Sequence, residues 1–229
     1  MTNLCIIPAR GGSKRIPRKN IRDFLGKPII AYSIEAAINS GLFEEIMVST
    51  DDNEIAEIAK HYGAKVPFMR SSENANDFAT TANVIEEVLN TYQKSNRTFK
   101  NACCIYPTAP FISSERLQQG LLSLNEEDVK TVMPVVPFDF PIWRSMKKDN
   151  NGWFSFNWPE QKNVRSQDLP PSYHDAGQWY WFKVKIFMKE SKLLTDSIKA
   201  IELRPLEVQD IDNEEDWKIA EIKYQLNII

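Results

Sequence analysis

Apolar residues fall into short unbroken runs, separated by stretches in which they recur every three or four positions. Leu4 to Ile7 is one such run, the pattern of a strand buried on both faces of a parallel sheet. Pro28 opens a helical period with Ile30, Ile34, Ala37 and Ile38 on one face, and Gly41 ends it. Ile46 to Val48 leads into Ser49-Thr50-Asp51-Asp52, where an Asp can cap a helix whose buried stripe is Ile55, Ile58, Ala59 and Tyr62 before Gly63. Strand, loop, helix, strand, helix is the order of a parallel βαβ sheet. Val66-Pro67-Phe68-Met69 predicts a short edge strand, because Pro67 has no N–H to give a ladder. A polar loop over 70–81 precedes a helix with Val84, Ile85, Val88, Leu89 and Tyr92 inward.

Ala102 to Tyr106 predicts another core strand, stopped by Pro107-Thr108-Ala109-Pro110. Two prolines forbid an immediate helix and hold the chain open, as a pocket wall requires. Ser113 or Ser114 caps a helix carrying Leu117, Leu121 and Leu124, and Thr131 to Val136 is a further strand. Aromatics from Trp143 to Trp158 cluster around the hairpin signal Asn150-Asn151-Gly152, so 140–182 reads as an aromatic-rich β excursion from the main sheet. Gln178-Trp179-Tyr180-Trp181-Phe182 suits a core or a dimer interface, with stacking on a sugar ring as the alternative. Ile201 to Val208, broken by Pro205, continues toward a C-terminal strand and delivers Asp210-Ile211-Asp212. Asp212 and Glu215 have the spacing of a capping box for a last helix, with Trp217, Ala220 and Tyr224 on one face. The expected architecture is a single α/β domain over 1–229, with a Rossmann-like, mainly parallel, doubly wound sheet.

Composition narrows the partners. Apolar residues are 42% and charged residues 26% of 229, an ordinary globular balance, and the net charge of -3 argues against a nucleic-acid-binding module. Cys5, Cys103 and Cys104 lie in apolar runs without CxxC spacing, which predicts buried thiols in a reducing compartment. There is no signal-peptide pattern and no apolar run near the roughly 18 residues of a membrane span, so the expectation is a cytoplasmic protein without a membrane partner.

Positive charge is concentrated directly after the first strand. Arg10, Lys14, Arg15, Arg18 and Lys19 put five cations within ten residues, at the strand end where open parallel sheets bind ligands. Gly11 and Gly12 permit a sharp turn and a close backbone approach. The loop matches neither GxxxxGK[ST] nor GxGxxG, which disfavours an ATPase P-loop and a dinucleotide fold. Asp210 and Asp212 share a face of an extended segment, and paired hard oxygens suit Mg²⁺ completed by phosphate and water. In the competing reading, Asp212 caps the last helix and Asp210 is solvated. Loop and pair together point to a nucleoside triphosphate with its metal. With only His61 and His174 in the chain, a Ser-His-Asp arrangement is disfavoured, and transfer driven by positioning and charge neutralisation fits better.

The stretch Ile7-Pro8-Ala9-Arg10-Gly11-Gly12-Ser13-Lys14, with Pro17, Lys19 and Asn20, resembles the signature of the acylneuraminate cytidylyltransferases, or CMP-sialic acid synthetases. Val48-Ser49-Thr50-Asp51, Arg70, Pro107-Thr108-Ala109-Pro110 and Asp210-Ile211-Asp212 match in the family's order. The resemblance implies that CTP reacts with a nine-carbon α-keto acid sugar to give a CMP-sugar and pyrophosphate. It also implies a requirement for Mg²⁺ and a homodimer in which 140–182 helps close the sugar site. By the same resemblance, Arg10, Ser13, Lys14 and Lys19 would hold the triphosphate and stabilise charge as pyrophosphate leaves, Ala9, Gly11 and Gly12 would bind the nucleotide with them, and Asn20, Arg70 and Thr108 would help place the cytidine. Asp210 and Asp212 would hold the metal, and Tyr106, Arg165, Gln178 and Tyr180 would face the sugar. Arg15, Tyr106 and Asp175-Ala176-Gly177-Gln178 depart from the sialate pattern and resemble the pseudaminic acid branch associated with glycosylation of flagellin or surface glycans. That branch implies CMP-pseudaminic acid as product, with N-acetylneuraminate and legionaminate enzymes as the alternatives.

Overall fold

The computed structural model describes residues 2–228. Strand β1 (Asn3–Pro8) runs into the basic loop, and two-residue strands β2 (Asp23–Phe24) and β3 (Lys27–Pro28) form a tight hairpin before α1 (Ile29–Ser40). Next come β4 (Glu45–Ser49), α2 (Asn53–His61), α3 (Thr81–Lys94), β5 (Asn101–Ile105), α4 (Ser114–Leu124) and β6 (Thr131–Pro137). The chain then leaves the sheet for β7 (Met146–Lys148) and β8 (Phe154–Phe156) and returns through β9 (Tyr173–Asp175) and β10 (Trp179–Lys183). It continues into α5 (Val184–Glu190), β11 (Ile198–Glu202) and α6 (Glu214–Ile228).

The main sheet has the order β11-β6-β10-β5-β1-β4, with β9 paired to β6. β1 is parallel to β4 and β5, and β11 is parallel to β6. β10 runs against both β5 and β6, so those two share a direction, and the sheet is mainly parallel as expected. The carboxyl ends of β1, β4, β5 and β6 therefore meet at one edge, where a ligand of such a sheet binds.

Side chains alternate across the sheet with the period of two that strands impose. Cys5 and Ile7 pack on one side with Ile30, Ile34, Ile55 and Leu117, while Leu4 and Ile6 pack on the other with Ile85, Val88 and Tyr92. The aromatic run of β10 is divided in the same way, with Trp179 and Trp181 on the α1 and α4 side and Tyr180 and Phe182 on the opposite one. It is core. The three cysteines are buried and free. α4 crosses β10 so closely that a Cβ on Gly120 would lie 2.6 Å from the Trp179 ring and 2.7 Å from Trp181. Gly120→Ala is expected to destabilise the fold by about 1–3 kcal/mol through overpacking, read as a lower urea midpoint at unchanged slope.

Asp52 caps α2 by accepting from Ile55 N–H, and Ser113 caps α4 by accepting from Arg116 N–H. β7 and β8 form the expected hairpin as a separate two-stranded sheet, and β9 and β10 belong to the main one. Some local expectations are corrected. Val66–Met69 is not a strand. Pairing stops at Lys65, which bridges Met47, and the chain turns away so that Arg70 N–H reaches Thr50 O at 2.8 Å. The last strand, β11, begins at Ile198 and ends at Glu202, before the Pro205 that breaks the run. The cap of α6 is Asn213, not Asp212. Asn213 Oδ1 accepts from the N–H groups of Glu215 and Asp216, and Asp216 Oδ2 accepts in return from those of Asp212 and Asn213. The capping box is displaced by one residue, and the Asp212 carboxylate is released from it. Ile38, expected on the buried face of α1, is exposed.

Candidate active site

The basic loop is held by the turn after β4. Ala9 N–H donates to Ser49 O at 2.9 Å, and Gly11 N–H donates to Asp51 Oδ1 at 3.0 Å. A Cβ on Gly11 would sit 2.7 Å from Asp52 Oδ2, so a side chain there would force that carboxylate to shift. Gly12 faces open space. Arg18 takes the left-handed conformation, φ 55°, and donates to both oxygens of Asp52 and to Glu54. One of the five cations is thus a brace for the loop rather than a wall of the site. Hydrogen bonding from Arg18 is the main cause holding the Asp52 carboxyl at about 2. A group depressed on folding stabilises above its unfolded pKa of about 3.9, and that stabilisation is lost as pH falls through its folded value. Asp52→Asn is therefore expected to be less stable than wild type by about 1–2 kcal/mol at pH 7, a gap that closes as thermal melts approach pH 2.

A cleft of about 460 Å³ opens at the carboxyl edge of the sheet. Arg10, Ser13, Lys14, Arg15, Lys19 and Asn20 line it from the loop, Arg70 and Thr81 from the far side, and Tyr106 and Thr108 from the turn after β5. Ala9, Gly11 and Gly12 shape the loop without lining the cleft. Asn20 is buried and donates Nδ2 to Arg10 O at 2.9 Å, which fixes the backbone behind the first cation. Arg70 is 8% exposed, with Nε on Ser49 Oγ at 3.1 Å and Nη2 on Ser49 O; burial pulls its pKa down.

Arg10 and Lys14 both bind Asp77, from the polar loop between Arg70 and α3. Sequence reasoning missed Asp77, because an ion pair spanning 67 residues leaves no local signal.

The carboxylate pair returns to this loop from the far end of the chain. Lys19 Nζ donates to Ile211 O at 2.7 Å, and Arg15 Nη2 to Asp212 Oδ1 at 2.7 Å. Ile211 is buried with Ile16, Phe24 and Trp217, while Asp210 is exposed and Asp212 half-buried. Burial lowers the pKa of Lys19 against the opposing pull of Asp212 and Asp210. Burial also raises that of Asp210, reinforced by the charge of Asp212. Among the described residues no group of three or more acidic, His or Cys side chains is placed to hold a metal ion. The pair instead fits Mg²⁺, which takes one or two carboxylates and completes its shell with phosphate and water. The strain between the two carboxylates is what a cation would relieve.

The four residues expected on the sugar side are separated. Tyr106 lines the cleft, with its hydroxyl 3.2 Å from Thr81 Oγ1. Tyr180 stands edge-on behind it, ring centroids 5.4 Å apart, and donates to Asp175 Oδ2 at 2.7 Å. Gln178 is 3% exposed and donates Nε2 to Glu207 O at 2.6 Å, fastening the segment that leads to Asp210. Arg165 lies exposed on the excursion, paired with Asp168 at 2.6 Å. The structure brings Tyr106 and Tyr180 together and leaves Gln178 and Arg165 outside the cleft lining.

An open sheet with a cationic loop after its first strand and a cleft at its carboxyl edge is suited to a phosphorylated ligand. The chain belongs to the cytidylyltransferase family, whose model matches residues 4–216. It is 42% identical over 228 residues to a pseudaminic acid cytidylyltransferase of Campylobacter jejuni, covering 99% of this chain and 98% of that one. It is 34% identical over 236 residues to the CMP-N,N'-diacetyllegionaminic acid synthase of Legionella pneumophila, covering 99% and 98%. A CMP:2-keto-3-deoxy-manno-octonic acid synthetase solved with CTP shares the fold, with TM-score 0.71 at 16% identity over 100% of this chain and 99% of that one.

Proposed function

We propose that this protein transfers CMP from CTP to the anomeric hydroxyl of pseudaminic acid, releasing pyrophosphate. The observation that carries the reading is the contact of Lys19 with Ile211 O, which brings the backbone between the two carboxylates against the cationic loop. The choice of sugar rests on the similarity to the Campylobacter enzyme.

In this reading Arg10, Ser13 and Lys14 hold the β- and γ-phosphates, and Asn20, Arg70 and Thr108 place the cytidine. Tyr106, backed by Tyr180, forms the wall toward the sugar. The anomeric hydroxyl releases its proton to water as its oxygen bonds to the α-phosphorus, the bond from that phosphorus to its bridging oxygen breaks, and pyrophosphate leaves with the electron pair. Positioning and charge neutralisation carry such a step, and Lys19 sits where charge on the leaving group must be balanced. Asp210 and Asp212 would hold Mg²⁺, which when bound neutralises the α-phosphate and acidifies a coordinated hydroxyl. Phe140, Trp153 and Phe154 stand exposed on the excursion, and a second copy of the chain is the partner this reading gives them. The buried free thiols support a reducing cytoplasm as the place of action, with flagellin or surface glycans as the destination of the sugar.

The test is product formation from CTP, Mg²⁺ and pseudaminic, N-acetylneuraminic or N,N'-diacetyllegionaminic acid. Pseudaminic acid is expected to lead in kcat/KM by about a hundredfold or more. CMP-N-acetylneuraminate without pseudaminate turnover would reject the sugar, and no CMP-sugar from any of the three would reject the reaction.

A further inference from the structure

The segment between Arg70 and α3 is fastened at both ends. Glu87 on α3 accepts from Ser71 N–H at 2.7 Å, from Ser71 Oγ at 2.9 Å and from Asn74 Nδ2, while Thr80 and Asn83 form a capping box where the helix begins. Between these anchors Asn76 Oδ1 accepts from Phe78 N–H at 2.7 Å and Ala79 N–H at 3.0 Å. The tight turn leaves the Phe78 side chain 92% exposed, so nothing packs over the tip. Asp77, next to it, faces inward to the basic loop. One carboxylate oxygen takes Arg10 Nη1 at 2.6 Å and the other takes Lys14 Nζ.

These are the two cations that the proposed reaction gives to phosphate oxygens. A carboxylate whose two oxygens are divided between them copies the way a terminal phosphate would engage the same donors. Lys14 and Arg10 in turn hold the Asp77 carboxyl below its usual range, so it stays charged at neutral pH. We propose that Asp77 is an internal stand-in for the triphosphate: it holds Arg10 and Lys14 in position in the empty site, and the β- and γ-phosphates displace it, together with the turn at 75–79, when the nucleotide binds. The proposal rests on the triphosphate reading of the cleft. Its consequence is that donor affinity is held down and pyrophosphate release is assisted, because the returning carboxylate competes for the same cations.

Calorimetric binding of pyrophosphate, CTP and cytidine, with Mg²⁺ present, to Asp77→Asn and Asp77→Ala tests it. Both variants should bind pyrophosphate and CTP about three- to tenfold more tightly than wild type, the range two exposed ion pairs can supply. Cytidine, which lacks phosphates, should bind unchanged, and pyrophosphate should become a stronger product inhibitor by the same factor. Pyrophosphate binding that is weaker or unchanged in both variants overturns the role of Asp77. Arg10→Ala separates this from failure of the underlying reading. If it weakens pyrophosphate binding while Asp77→Asn does nothing, Asp77 alone loses its role; if pyrophosphate is indifferent to Arg10→Ala, the triphosphate site itself is rejected.

Discussion

Asp210→Asn is expected to lower kcat by at least about a hundredfold while KM for CTP stays within about threefold. The substitution keeps the shape of the side chain and removes its charge, so what is lost is electrostatic support for the reacting phosphate, not a wall of the nucleotide cleft. Thermal stability should move in the other direction. The Asp210 carboxyl is raised on folding, first by burial and then by the neighbouring charge of Asp212. Its ionised form therefore opposes folding at pH values above its folded pKa, and a neutral isostere removes that opposition. A variant that melts higher and turns over slower is the signature of a residue kept for function at the expense of stability. Near-normal kcat at saturating Mg²⁺ would take Asp210 out of the metal role.

The second large effect is expected at Lys19. Lys19→Met should reduce kcat/KM by about 10²–10³, the usual loss when one preorganised electrostatic group is removed. Two contributions disappear together: a cation beside the carboxylate pair, and the hydrogen bond to Ile211 O that holds the backbone between them. Lys19→Arg should restore little, because a planar fork does not replace a point charge in a half-buried slot. Steady-state kinetics in both substrates decide it, and unchanged constants for CTP and sugar alike would make Lys19 a residue of the surface.

How much of this could be read from residues alone depends on the distance over which each feature is encoded. The central strands were legible because both of their faces are covered, which leaves unbroken apolar runs at Leu4–Ile7 and Ala102–Tyr106. The direction of β10 was not, since period-two burial is the same whether a strand runs with its neighbours or against them. The cap of α6 was misplaced by one position: Asn213 with Asp216 has the same spacing as Asp212 with Glu215, and the Asp212 carboxylate pairs with Arg15 instead. The charge of the basic loop was plain, but its division was not. Arg18 turns to Asp52 through a left-handed backbone, Arg10 and Lys14 to Asp77, and Lys19 to the C-terminal segment. Gln178 carried a family expectation of sugar contact, yet its amide is used on Glu207 O, inside the fold.

The contact of Lys19 with Ile211 closes a span of 192 residues, and Arg22 with Glu214 closes another of the same length. A ribosome adds roughly 5–20 residues per second, so Arg15 and Lys19 wait about 10–40 s in the nascent chain before the segment they bind has been made. During that interval Arg18 can already reach Asp52, and Arg10 and Lys14 can reach Asp77, while Arg15 and Lys19 lack the C-terminal segment they later hold. Assembly of the reaction centre is therefore timed by chain elongation: the loop is synthesised early, and its arrangement is completed only when residues beyond 210 dock against it.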